Sequence, residues 1–72
     1  MTNTELLDKK IEESGKKIGY LAEKCGLSLA GFYNCRTNRA EFKASHIKIL
    51  SEELGITDLK EKDAIFFAHS GA

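Results

Sequence analysis

The stretch IGYLAEKCGLSLAGFYNCRTNR, Ile18 to Arg39, decides how the rest of the chain is read. Ile18, Leu21, Ala22 and Cys25 fall at i, i+3, i+4 and i+7, the apolar stripe of a short helix that starts near Lys17. Gly26 stops it, because glycine enters the left-handed conformation without a steric penalty. Ser28 is a favourable N-cap for a second helix, in which Phe32 and Cys35 face inward while Ala30, Tyr33 and Asn34 face outward. Leu29 sits at the edge of that stripe, open to either face. The helix ends near Arg36 or Thr37, and Thr37, Asn38 and Arg39 read as a polar, cationic loop. Gly19 costs about 1 kcal/mol against alanine inside a helix, so a close backbone approach would explain it. Ala22 is small where the two helices would cross.

Working outward, Leu7 and Ile11 mark a helix to about Ser14, closed by Gly15, with residues 1–3 frayed and Thr2 or Thr4 as its cap. Beyond Phe42 a fourth helix runs from about Ala44 to Leu54. Its stripe is Ile47, Leu50 and Leu54, and Gly55 and Ile56 close it. Asp58 and Glu61 have capping-box spacing and open a fifth helix through Leu59, Lys62, Ile65, Phe66 and Phe67, which frays over residues 69–72. No stretch alternates with period two for long enough to be a strand. The expectation is an all-α, compact five-helix domain over residues 1–72, with no repeat and no linker.

Composition narrows the function classes. Proline is absent and 42% of residues are hydrophobic, values that suit a small helical domain. The longest strictly apolar run, Ala64 to Ala68, is far too short to span a membrane, and the N-terminus lacks the apolar segment of a secretory signal, so a cytoplasmic protein is expected. Cys25 and Cys35 fall on inward helix faces, where free buried thiols are a better reading than a disulfide. His46 and His69 are not spaced for zinc, and no CxxC appears, so no metal is expected. No nucleophile–base set or phosphate-cradling glycine loop is present either, so neither catalysis nor a cofactor is expected.

The zero net charge hides a pattern. Residues 1–15 carry a net −2, residues 16–48 a net +5 and residues 49–72 a net −3. The basic middle contains Lys16, Lys17, Lys24, Arg36, Arg39, Lys43 and Lys48 against Glu23 and Glu41. Such polarity suits a protein that turns one face toward a polyanion.

LAEKCGLSLAGFYN resembles the helix-turn-helix of the phage repressor and Cro-like family, the lambda repressor-like DNA-binding domains. The family pattern stands here as Leu21-Ala22, Gly26, Leu27, Ser28 and Phe32. FKASHIKILSEELGI looks like the family's fourth helix, and DLKEKDAIFF like the tail of small phage-encoded members from Gram-positive hosts. The likeness covers about residues 4–68. Three features depart from it: Ile18, or Lys17 beside it, stands where many members carry glutamine. Leu29 replaces a polar base-reading residue, and Arg36 to Arg39 is a longer cationic loop than usual.

The resemblance implies sequence-specific double-stranded DNA binding at an operator by a small Cro-like or early-gene transcriptional regulator. The second helix of the motif would lie in the major groove while the first crosses the backbone. Leu29, Ala30, Tyr33 and Asn34 are then the candidates for base contact. Ala30 and Leu29 suit a thymine methyl, and asparagine can pair bidentately with adenine. Lys16, Lys17, Ser28, Thr37, Asn38, Arg39 and Lys43 are the candidates for phosphate contact. Phe66 and Phe67, adjacent aromatics on one helix, cannot both point into one small core. Either one of them lies exposed with Ile65 and forms an apolar patch as a homodimer surface, weak away from DNA, or Ile65 and Phe66 close the core and Phe67 stands alone. A competing expectation is a protein-interaction module on the same fold, an antirepressor or adaptor, anchored by Leu29, Tyr33 and Phe67.

Overall fold

A computed structural model describes residues 1–68, so His69 and the expected fraying of residues 69–72 lie outside the described residues. Five helices follow one another: α1 (Thr4–Ser14), α2 (Ile18–Lys24), α3 (Leu29–Arg36), α4 (Ala44–Leu54) and α5 (Leu59–Phe66). Among the described residues there is no strand. No helix there is long and apolar enough to cross a membrane.

Glycine sets three of the helix ends. Gly15, Gly26 and Gly55 all have φ near +70°, the region that costs a side chain most. Helix α3 ends the same way on a non-glycine residue, Asn38 at φ 68°, with the Arg39 N–H donating to the Asn34 carbonyl at 2.8 Å. Asparagine is among the few residues that tolerate this conformation.

The helix starts differ in their caps. Asn3, rather than Thr2 or Thr4, caps α1, accepting from the Leu6 N–H at 3.1 Å. Ser28 Oγ accepts from the Gly31 N–H at 3.0 Å, and a Cβ at Gly31 would lie 3.2 Å from that oxygen. The cap therefore fills the space a larger residue would need. At α4 the ring of His46 closes the turn, its Nδ1 accepting from the Lys43 N–H at 3.2 Å. Asp58 caps α5 through the Lys60 N–H at 3.0 Å, while Glu61 pairs instead with Lys10 at 3.0 Å.

All five helices bury side chains in one core. Leu7, Leu21, Phe32 and Leu50 are fully excluded from water, and Ile18, Leu27 and Ile49 pack against its edge. Phe42, from the α3–α4 loop, joins the halves: its ring meets Phe32 at 5.7 Å and Phe66 at 5.9 Å, both edge to face. Cys25 and Cys35 are buried free thiols, and burial raises the pKa of both.

Two expectations are corrected here. Residues 1–3 are not frayed: Thr2 is buried, the Asn3 N–H donates to the Ile65 carbonyl at 2.6 Å, and the Ala68 N–H donates to the Met1 carbonyl at 2.8 Å. Ile65 and Phe66 are not a dimer surface, since they are only 1% and 3% exposed. Both fit because α5 ends at Phe66. Phe67 has left the helix, at φ −125°, and is 51% exposed, so the two adjacent aromatics do not compete for one site.

Candidate nucleic-acid interface

Helices α2 and α3 are joined by the tight turn Cys25–Ser28, with the Leu27 N–H donating to the Ala22 carbonyl at 2.9 Å. Ala22 is 2% exposed, the small residue that lets the two helices approach closely. Phe32 and Cys35 fix the inward side of α3. At 100° per residue the opposite side carries Leu29, Ala30, Tyr33 and Asn34 as one stripe. Leu29 is 62% exposed and Tyr33 49%, Ala30 is exposed and Asn34 half-buried. Leu29 is therefore an outward residue, not a core one. Its Cδ2 lies 3.9 Å from where a Gly19 Cβ would stand, so Gly19 is the floor on which Leu29 rests.

Cations stand before and after the stripe in the chain. Lys17 occupies the N-cap position of α2. Arg39 comes after the stripe, its amide fixed to the carbonyl of Asn34 at 2.8 Å. Lys43 occupies the N-cap position of α4. All three are exposed, and none makes an ion pair among the described residues. Ser28 is exposed as well. Its oxygen accepts from Gly31, which leaves its hydroxyl proton available to donate.

Three expected phosphate contacts are engaged elsewhere. Lys16 Nζ donates to the Glu53 carbonyl at 2.7 Å and to its Oε1 at 2.9 Å, so it ties the start of α2 to the end of α4. That contact, with Tyr20 in second place, holds the Glu53 carboxyl below its usual range. The Thr37 hydroxyl donates to the Tyr33 carbonyl at 2.8 Å and so has no proton left for a phosphate. Asn38 accepts from the Thr2 N–H at 2.8 Å and donates to the Thr2 carbonyl at 2.9 Å, which occupies both ends of its amide. Arg36 is likewise structural. It meets Asp8 at 3.2 Å, its guanidinium lies 5.9 Å from the Tyr33 ring centroid, and its carbonyl accepts from the Thr4 hydroxyl at 2.6 Å.

One exposed feature of α2 was missed in the sequence. Tyr20 stands exposed on α2 with Lys16 and Lys24 over its ring at 5.9 and 5.5 Å. Part of the signal was present: Lys24 follows Tyr20 at i+4, the spacing that brings side chains together on a helix, whereas Lys16 lies before the start of α2.

No family model, curated protein or solved structure matches this chain.

Proposed function

We propose that the protein binds double-stranded DNA sequence-specifically, laying α3 in the major groove, and acts as a small transcriptional regulator of the Cro-like type. The observation that carries this reading is the outward stripe Leu29–Ala30–Tyr33–Asn34, held there by the burial of Phe32 and Cys35, with exposed Lys17 and Arg39 before and after it in the chain, neither in an ion pair among the described residues. A short helix with small and apolar groups at its start, an amide further along and cations before and after it in the chain matches the division of labour on DNA. Side chains at its centre meet base edges, and flanking cations meet phosphates. Occupation of an operator would then block or adjust polymerase access. The helix-turn-helix spacing that resembles the phage repressor and Cro-like family supports the same reading.

Selection of bound sites from a random duplex pool tests it, and a palindrome among the winners identifies a dimer on DNA. Titration then separates the roles. With Lys17, Arg39 and Lys43 on phosphates, log K against log[salt] should fall with a slope of about −2.7 per protomer, at roughly −0.9 for each contact. Asn34→Ala should lower discrimination among sites, whereas Arg39→Ala should weaken binding to all sequences and flatten the slope by roughly 1. Equal losses from both variants on selected and random DNA overturn the assignment of roles.

The exposure of Leu29 and Tyr33 on one stripe favours a second reading, a protein-contact module of the antirepressor or adaptor kind. Its affinity would rest on apolar burial and would hold as salt rises, where DNA binding would collapse.

A further inference from the structure

We infer that Asn38 is a positioning residue for the DNA contact, acting through Arg39 by latching the α3–α4 loop to the N-terminal segment; the inference rests on the DNA-binding reading above. Asn38 is the one non-glycine residue in the left-handed region among the described residues. Its side chain does what a neighbouring strand would do, accepting from the Thr2 N–H at 2.8 Å and donating to the Thr2 carbonyl at 2.9 Å. These are contacts between residues 36 apart in the chain.

The segment it grips is itself fixed. Asn3 bonds to the Ile65 carbonyl, Met1 accepts from the Ala68 N–H, and the Thr4 hydroxyl reaches the Arg36 carbonyl. Residues 1–4 thus tie the end of α3 to the end of α5. On the far side of Asn38, Arg39 and Ala40 both donate to the Asn34 carbonyl, at 2.8 and 3.1 Å. The backbone turn at Asn38 therefore decides where the Arg39 side chain leaves the surface relative to Asn34. An asparagine supplies both requirements at once, tolerance of a positive φ and a two-ended amide. Glycine meets only the first, and aspartate lacks the donor for the Thr2 carbonyl.

Holding Arg39 in place beforehand spares the ordering cost of a loop side chain on binding. Loss of the latch should therefore weaken DNA binding about two- to tenfold, irrespective of sequence. The test uses the full chain and a duplex chosen from the random pool, with thermal unfolding run beside each titration at a temperature where all variants are folded. Asn38→Gly keeps the turn and removes the latch, and Asn38→Asp removes one half of it. Hydrogen exchange at the Thr2 amide reports the latch directly and should speed up in the glycine variant.

The deciding comparison is the Arg39→Ala background. A positioning role predicts that Asn38→Gly weakens binding with Arg39 present and changes it by less than about 1.5-fold with Arg39 absent, because coupled residues are non-additive. Equal losses in both backgrounds, or an unchanged affinity in the single variant, overturn the inference while leaving DNA binding intact. A wild-type chain that selects no duplex overturns the DNA-binding reading and this inference with it.

Discussion

The most direct probe of α3 removes methyl groups from the DNA rather than side chains from the protein. In the major groove the thymine C5-methyl is the one apolar group a base edge offers, and uracil differs from thymine only by its loss. The start of α3 presents Leu29 at 62% exposure and Ala30 exposed beside it, with Leu29 resting on Gly19. No polar side chain of α3 precedes Asn34 on that stripe except the hydroxyl of Tyr33. A thymine methyl buried there contributes about 0.8 kcal/mol, so each deoxyuridine placed under Leu29 and Ala30 should weaken binding about fourfold. Two symmetry-related substitutions in a palindromic site should weaken it about fifteenfold. Fluorescence anisotropy on duplexes substituted one thymine at a time locates the contact, and Leu29→Ala should bring the thymine-to-uracil ratio at that position toward one. Leu29 is exposed and near the helix start, so this change should leave stability within about 0.5 kcal/mol. If no thymine-to-uracil change within a selected site alters affinity, or if the preference survives intact in Leu29→Ala, the placement of this helix end on base edges is wrong.

Three further outcomes follow from the core and its ties. Phe42→Leu keeps apolar volume but removes the edge-to-face contacts with Phe32 and Phe66. It should cost about 1–3 kcal/mol in chemical denaturation, and much less in a chain already carrying Phe32→Leu and Phe66→Leu. The Glu53 carboxyl has its pKa lowered in the folded state, first by Lys16, so the stability it contributes is complete above the ordinary carboxylate pKa and is lost as pH falls through the folded value. Melting temperature should therefore drop on acidification by a smaller amount in Lys16→Met than in the wild type. Phe67, half exposed beyond the end of α5, should tolerate Phe67→Ser with less than about 0.5 kcal/mol lost, as read by thermal unfolding, whereas Phe66→Ser should unfold the domain.

The five helices could be read from local pattern because their signals are local. Apolar residues recur at helical spacing, and Gly15, Gly26 and Gly55 stand where the chain must turn left-handed. The inward set Ile18, Leu21, Ala22, Cys25, Phe32 and Cys35 followed from the same period; all are buried except Ile18, which is half-buried at the edge of the core. What escaped depends on pairs far apart in sequence. The N-terminal segment is ordered by residues 32 and more positions away, and Lys16 is held by Glu53, 37 positions on. Neither pairing has a periodic signature. Polar residues such as Asn38 and Thr37 look like surface groups in a sequence, since nothing local tells a side chain that faces water from one that satisfies a backbone group. The fate of Phe66 and Phe67 turned on one residue of helix length, a boundary that pattern fixes poorly.

The same long-range pairs sort the charges of a chain whose net charge is zero. The acidic ends and the basic middle are not separate surfaces. Glu53 binds Lys16 and Asp8 binds Arg36, each joining an acidic segment to the basic one, while Lys10 and Glu61 join the two acidic ends to each other. Exposed pairs of this kind add little stability, but they decide which cations remain unneutralised. Lys16 and Arg36 are consumed at the edges of α2 and α3, where they fix the motif to α4 and α1. Lys17 and Arg39, one position after Lys16 and three after Arg36, stay exposed and without an ion pair among the described residues. Each end of the motif thus carries one cation that anchors the motif to the domain and one directed to solvent. In the DNA-binding reading proposed above, the second set is the one that would meet phosphates.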